Sequence, residues 1–252
     1  MKEIDLKKIS TLPPEGVDKE KTKAETEEIV TKLVDLQRLF YANHNKALLV
    51  VLQGMDASGK DSAIRHVFGP MNPMWVRVHS FKKPVGDELE HDYLRRIHKK
   101  LPPKGIIGIF NRSHYEDILV PSVEGYLSSA KINKRYAHIN GFEKMMVDED
   151  IIVLKFYLHI SHQRQIEKLK ERLKIPYKMW KYSCSDFEVT EKRDKYMKVY
   201  NKVLTKTNTN WAPWNIIPAD KKRYKNYLIA KKTYEVLSSL KLKWPKLNKE
   251  DC

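Results

Sequence analysis

An unbroken apolar run, Ala47-Leu48-Leu49-Val50-Val51-Leu52, leads through Gln53 into Gly54-Met55-Asp56-Ala57-Ser58-Gly59-Lys60. A run with no polar face predicts a strand buried on both sides, as in a parallel sheet covered by helices. Beyond it lies the G-x-x-x-x-G-K spacing, and then Ile64, Val67 and Phe68 recur at helical intervals until Gly69-Pro70. Strand, glycine-bounded turn and helix form the context in which this spacing cradles phosphate rather than making a bare turn. The glycines let the chain bend tightly, so that successive N–H groups converge on one anion, and Lys60 adds a cation. Gly54, Met55, Ala57, Ser58, Gly59, Lys60 and Asp61 are therefore read as a phosphate site. The Ser or Thr expected after the lysine is replaced by Asp61, and Asp56 sits inside the loop. Carboxylates there repel phosphate unless a cation lies between, so the loop asks for Mg²⁺, or Mn²⁺ in its place.

Apolar or alternating segments at 75–81, 106–110, 151–158 and 214–218 predict four more strands. Helical spacing is read over residues 19–43, after the cradle, over 87–100, through Phe142, Met145 and Met146, and over 161–173, 186–204 and 220–240. The stretch between the third strand and the helix at Phe142 is read as a long irregular connection. Alternating strands and helices predict an α/β fold, a parallel sheet between two helical layers. Residues 1–252 are read as one domain with an amino-terminal arm and helix over 1–45.

The 252 residues carry a formal charge of +16, which concentrates anionic partners around the chain. Nucleic acid is the default polyanion, and Trp180, Tyr182 and Trp211 offer aromatic rings, but no zinc-finger, homeodomain or RNA-recognition signature accompanies them. Two cysteines, Cys184 and Cys252, do not build a disulfide framework or a zinc site. No run reaches membrane-spanning length, and the amino end lacks the apolar core of a secretory leader, so a cytoplasmic protein without a membrane partner is expected.

Ligands of parallel sheets bind beyond the carboxyl ends of the strands. That rule brings Lys82 and Lys83 and the segment Asn111-Arg112-Ser113-His114-Tyr115-Glu116-Asp117 to the cradle. Arg112 suits bidentate contact with phosphate oxygens, and Asp117 or Glu116 is expected to join Asp56 at the metal. The plainer alternative is that both acids merely open a helix near its positive end. His114 is read as a structural hydrogen-bonding residue rather than a phosphoryl carrier. Arg172, Lys178 and Lys181 lie in a cationic stretch after the fourth strand, read as a lid over about 161–187 that excludes water.

These residues resemble a known family. Gly54-x-Asp56-x-x-Gly59-Lys60-Asp61, Phe110-Asn111-Arg112-Ser113-His114-Tyr115-Glu116-Asp117, Pro176-x-Lys178-x-Trp180-Lys181-x-Ser183 and Ala212-Pro213-Trp214 are similar, in order, to motifs of polyphosphate kinase family 2. The resemblance implies a P-loop kinase fold with a helical lid, and reversible Mg²⁺-dependent transfer between inorganic polyphosphate and a nucleotide without a phosphohistidine. By position, Asp56 and Lys60 match the essential loop residues, Arg112 the arginine after the strand, and Arg172 the lid arginine. Asn111, Arg112, Glu116 and Asp117 are then expected at the nucleotide, with Asn111 standing where many members carry Asp. The His-Tyr-Glu-Asp sequence is similar to the branch accepting both mono- and diphosphates. The partners implied are polyphosphate, AMP, ADP and ATP, with GDP and GTP as further candidates, and a second copy of the chain. An ATP-dependent nucleoside monophosphate kinase of thymidylate-kinase type is the competing reading. Asp61 and the basic lid argue against it.

Overall fold

The five predicted strands form as β1 (Ala47–Gln53), β2 (Val76–Ser80), β3 (Ile107–Asn111), β4 (Ile151–His159) and β5 (Trp214–Pro218) in the computed structural model, which describes residues 3–182 and 184–246. They make one wholly parallel sheet in the order β2-β3-β1-β4-β5. All seven residues of β1 are buried, as its unbroken apolar run requires of a central strand. Leu52 stands opposite both Asn111 of β3 and Phe156 of β4. The ends of β3, β1 and β4 therefore open side by side, and the chain leaves them toward both faces of the sheet.

Among the described residues ten helices surround the sheet: α1 (Lys19–Asn43), α2 (Lys60–Ala63), α3 (Arg95–His98), α4 (Glu116–Glu124), α5 (Ser129–Asp148), α6 (His162–Lys174), α7 (Pro176–Met179), α8 (Cys184–Glu191), α9 (Arg193–Lys206) and α10 (Lys222–Ser239). Asp18 caps α1 by accepting from the Lys21 N–H, and Val30, Leu33 and Phe40 bury its apolar face where it packs on α10. A π-helical turn, Ile64–Phe68, continues α2. No described helix is long and apolar enough to cross a membrane.

Three helical expectations need correction. The helix expected over 87–100 is broken, because Asp92 Oδ1 accepts from the Leu94 and Arg95 N–H groups at 2.9 and 3.1 Å and diverts the backbone into a turn. The supposed irregular connection instead holds α4, which contains Pro121. The Asp117 carbonyl that Pro121 leaves without a backbone donor accepts from the Arg135 guanidinium, and this bond makes the proline tolerable. The helix expected over 186–204 divides at Lys192, whose backbone leaves the helical basin (φ −82°, ψ 8°) and whose ammonium reaches Glu124 at 2.6 Å.

Candidate active site

The loop between β1 and α2 turns through three left-handed residues: Gly54 (φ 147°), Ala57 (φ 64°) and Gly59 (φ 92°). At Gly54 a side chain is excluded twice over, since a Cβ would lie 2.7 Å from the Leu158 carbonyl oxygen as well as in strained backbone. That oxygen belongs to β4 and cannot swing aside. Gly54→Ala is expected to lower Tm by about 5 °C or more, as read by scanning calorimetry. A shift under about 1 °C would show that the loop is looser than described. The buried Ser58 hydroxyl has no hydrogen-bond partner among the described residues, an arrangement suited to a polar ligand in the loop.

Lys60 Nζ folds over the loop and donates to the Gly54 and Met55 carbonyls at 2.8 and 3.3 Å. Burial pushes its pKa down, against the attraction of Asp56. Asp56 ion-pairs with Arg112, whose own backbone is left-handed at φ 62° and whose N–H donates to the Leu52 carbonyl at 3.1 Å. Burial raises the Asp56 pKa, but Arg112, Lys60 and Arg172 together hold it below the ordinary value. Asp61 accepts from Asn111 Nδ2 and from Lys181 Nζ, both at 2.8 Å, which ties α2 to β3 and to the segment after α7. Arg172 donates to the Lys181 carbonyl at 3.2 Å.

Other expected residues divide between this cluster and its surroundings. Glu116 lies near Lys60, Arg112 and Asp56, and burial with the neighbouring carboxylates raises its pKa. Asp117 instead points to Arg96, which donates to it at 3.2 Å, while Glu116 stands nearer to Asp56. Adjacent helical residues diverge by about 100°, so only one of the two can face the loop. Lys82 and Lys83 are exposed, and among the described residues neither ammonium makes a hydrogen bond or ion pair with the loop. Lys178 pairs with Glu171 at 2.7 Å, and its charge acts on Lys168. His114 is wholly buried with Nε2 3.3 Å from Glu143, which keeps it from substrate.

Several residues at the site were not singled out by the sequence. Lys168 of α6 donates to the Ala57 carbonyl at 3.3 Å, and Lys225 of α10 to the Gly59 carbonyl at 2.7 Å. Gln53, with its amide nitrogen toward Glu116 Oε1 at 3.1 Å, accepts from the Ser113 N–H at 3.1 Å and joins the ends of β1 and α4. Beside Asp117 opens a cavity of about 670 Å³ lined by Leu89, Tyr93, Arg96, Lys134, Arg135 and His138, among others. Beneath the Arg112 loop, Glu143 accepts from Lys155 at 2.6 Å and from the Tyr115 hydroxyl at 2.6 Å, with all three side chains fully buried.

The donors that could meet a divalent cation are oxygens: the carboxylates of Asp56 and Glu116 and the amide of Asn111. The described residues contain no group of three or more His, Cys, Asp or Glu able to hold a metal by themselves. A hard cation such as Mg²⁺ that keeps water and substrate phosphates as its other ligands fits such a set, as Zn²⁺ would not.

A profile of the family described as Polyphosphate kinase 2 (PPK2) matches residues 16–244. An AMP/ADP-polyphosphate phosphotransferase of Meiothermus ruber is 46% identical over 214 residues, 85% of this chain and 80% of the relative. An ADP-polyphosphate phosphotransferase of Rhodopseudomonas palustris is 38% identical over 86% of this chain and 79% of its own. Among solved structures, polyphosphate kinase 2 from Arthrobacter aurescens superposes with a TM-score of 0.94 at 36% identity, covering 97% of this chain and 89% of that one.

Proposed function

The chain belongs to the polyphosphate kinase 2 family, and on that premise we propose that it moves a phosphoryl group reversibly between inorganic polyphosphate and AMP or ADP. The observation that carries this reading is the convergence of Lys60, Arg112 and Arg172 on one glycine-rich loop that also contains Asp56. Phosphoryl transfer needs alignment and charge neutralisation more than covalent help. A terminal oxygen of the nucleotide attacks the end phosphorus of the polymer, the bridging P–O bond breaks, and the shortened chain leaves with the electron pair. One phosphoanhydride replaces another, so the exchange is near balance when ADP is the acceptor.

In this mechanism the loop N–H groups and Lys60 hold the transferred group. Arg112, exchanging its carboxylate partner for phosphate oxygens, bridges donor and acceptor. Arg172 and Lys181 close the segment over 161–187 against water. Mg²⁺ or Mn²⁺ held by Asp56 and Glu116 would neutralise charge on the phosphates. The cavity beside Asp117 and Arg96 is assigned to the nucleoside, with GDP and GTP as further acceptors. A homo-oligomer working on soluble substrates, with neither nucleic acid nor membrane as partner, completes the proposal.

Product analysis with polyphosphate or ATP offered in competition as donor to AMP tests the reading. ADP and then ATP formed from polyphosphate is the expected result; phosphate taken only from ATP would favour the monophosphate-kinase alternative. Because the donor is a polyanion on a chain of +16, its KM is expected to rise about tenfold between about 50 and 500 mM NaCl, and the KM for ADP by less. Initial-rate measurements at fixed Mg²⁺ read this directly. A polyphosphate KM indifferent to salt would remove the role given to the basic surface.

A further inference from the structure

Residues 4–12 hold only a short 3-10 turn, Leu6–Lys8, yet they are pinned where β4 passes into α6, the first helix of the lid. His159, the last residue of β4 and 4% exposed, shares its Nε2–H between the Leu6 and Ile9 carbonyls at 3.0 and 3.1 Å. Carbonyls only accept, which places the ring proton on Nε2. Asp220, just beyond β5, holds the other side of this joint. Its Oδ1 accepts from the Ser161 N–H and its Oδ2 from the Thr11 hydroxyl, both at 2.8 Å, and its own N–H donates to the Thr11 carbonyl at 3.1 Å. Ser161 in turn caps α6 by accepting from the Arg164 N–H at 3.2 Å. The arm is anchored on α9, where the Ile4 and Leu6 N–H groups donate to Thr205 Oγ1 and Asn201 Oδ1 at 2.9 and 3.0 Å, and the Leu6 side chain is buried in the core. Arg193 of α9 donates to the Ile160 carbonyl at 2.6 Å. His159, Ile160 and Ser161 are thus each fixed by a partner outside the lid. The matched family profile begins at residue 16, so the arm lies outside it.

We propose that the amino-terminal arm is a strap that sets the pivot of the lid, and that His159 and Asp220 are positioning residues that aim Arg172 without touching substrate. The leverage is large. Arg172 stands about 16 Å along α6 from Ser161, so a tilt of about 5° at the pivot moves it by about 1.4 Å. A misplacement of about 1 Å can cost about 100-fold in rate. The Asp220 carboxylate also faces Lys168 of α6 and Arg193 of α9, so its charge acts on both elements that meet at the joint. The catalytic effect rests on α6 being the lid of the transfer reaction; the strap itself does not depend on what the lid covers.

Asp220→Ala removes both acceptors, whereas Asp220→Asn keeps an oxygen for Ser161 and a polar group for Thr11. His159→Phe keeps a ring of similar volume and loses the donor. Thr11→Val, at a half-buried position of the arm, removes the hydroxyl alone and leaves the fold intact. Hydrogen-exchange mass spectrometry of the full chain should show residues 166–174 exchanging about tenfold faster in Asp220→Ala and His159→Phe, and faster by less in Thr11→Val, with β1 and α5 unchanged. In the same two variants kcat for ATP formation should fall about tenfold while KM for ADP stays within about twofold, and Asp220→Asn should restore kcat to within about twofold of wild type. Exchange over 166–174 as slow in all the variants as in wild type would overturn the strap. So would faster exchange spread evenly over β1 and α5, which signifies a generally loosened fold. Faster exchange in the lid with kcat unchanged would overturn the positioning role. Faster lid exchange in a chain whose wild type forms no ATP from polyphosphate would support the strap while removing the proposed donor.

Discussion

Lys60→Met is expected to slow polyphosphate-dependent ATP formation by about 1,000-fold or more at saturating substrates, because the proposed mechanism sets this cation where charge accumulates on the transferred group. Its Nζ is satisfied here by the Gly54 and Met55 carbonyls, within the loop proposed to hold the phosphate. The fold should not suffer in proportion. Burial already disfavours the charged Lys60, so an apolar side chain of similar length is expected to leave Tm unchanged or slightly higher. A large loss of kcat with an intact melting transition separates chemistry from folding. Near-normal turnover would show that the loop has been assigned the wrong task.

Glu143→Leu is expected to give the largest loss of stability. Glu143 and Lys155 are both 0% exposed and 2.6 Å apart, and Lys155 donates further to the Tyr115 hydroxyl at 2.9 Å and to the Thr207 carbonyl at 2.8 Å. Removing the carboxylate strands a buried cation, at a cost of about 3–5 kcal/mol, or roughly 10 °C in Tm for a chain of this size. The double variant Glu143→Leu with Lys155→Met is expected to recover most of that loss, since neither charge remains. Burial opposes ionisation of Glu143, but Lys155 and His114 outweigh it and hold its pKa below the ordinary 4.5. A carboxyl depressed by folding adds stability above 4.5 that disappears as pH falls through its lower folded value. Acid titration of Tm should therefore be steeper below about pH 4.5 in wild type than in the double variant. The same network supports Tyr115 and His114 under Arg112, so kcat should fall with stability in the single variant.

The sheet was legible because burial on both faces leaves a continuous apolar run, as in residues 47–52 and 151–158. Arg112 and Asn111 were legible for a related reason: a strand's carboxyl end puts the next residues into the crevice whatever the rest of the chain does. Errors arose where one side chain redirects the backbone. Asp92 breaks a helical pattern by capping it from within, and Arg135 rescues a helix that Pro121 argues against. Lys168 was legible only as one cation of the lid stretch, and Lys225 and Arg96 were illegible on other grounds. A lysine on a helix gives no sign of facing the solvent or a loop more than a hundred residues away; the packing of α6 and α10 decides it.

The central claim is that phosphate passes from polyphosphate directly to a nucleotide over the loop at Gly54 to Lys60. A time-resolved ³¹P spectrum of protein, ADP, polyphosphate and Mg²⁺ tests it most directly. The account expects ATP γ-phosphate to appear one for one with loss of polymer phosphate, to stop when the divalent ion is chelated, and to be absent with Lys60→Met. ATP formation that continues in chelator or in the variant, or no ATP from polyphosphate at all, would contradict it.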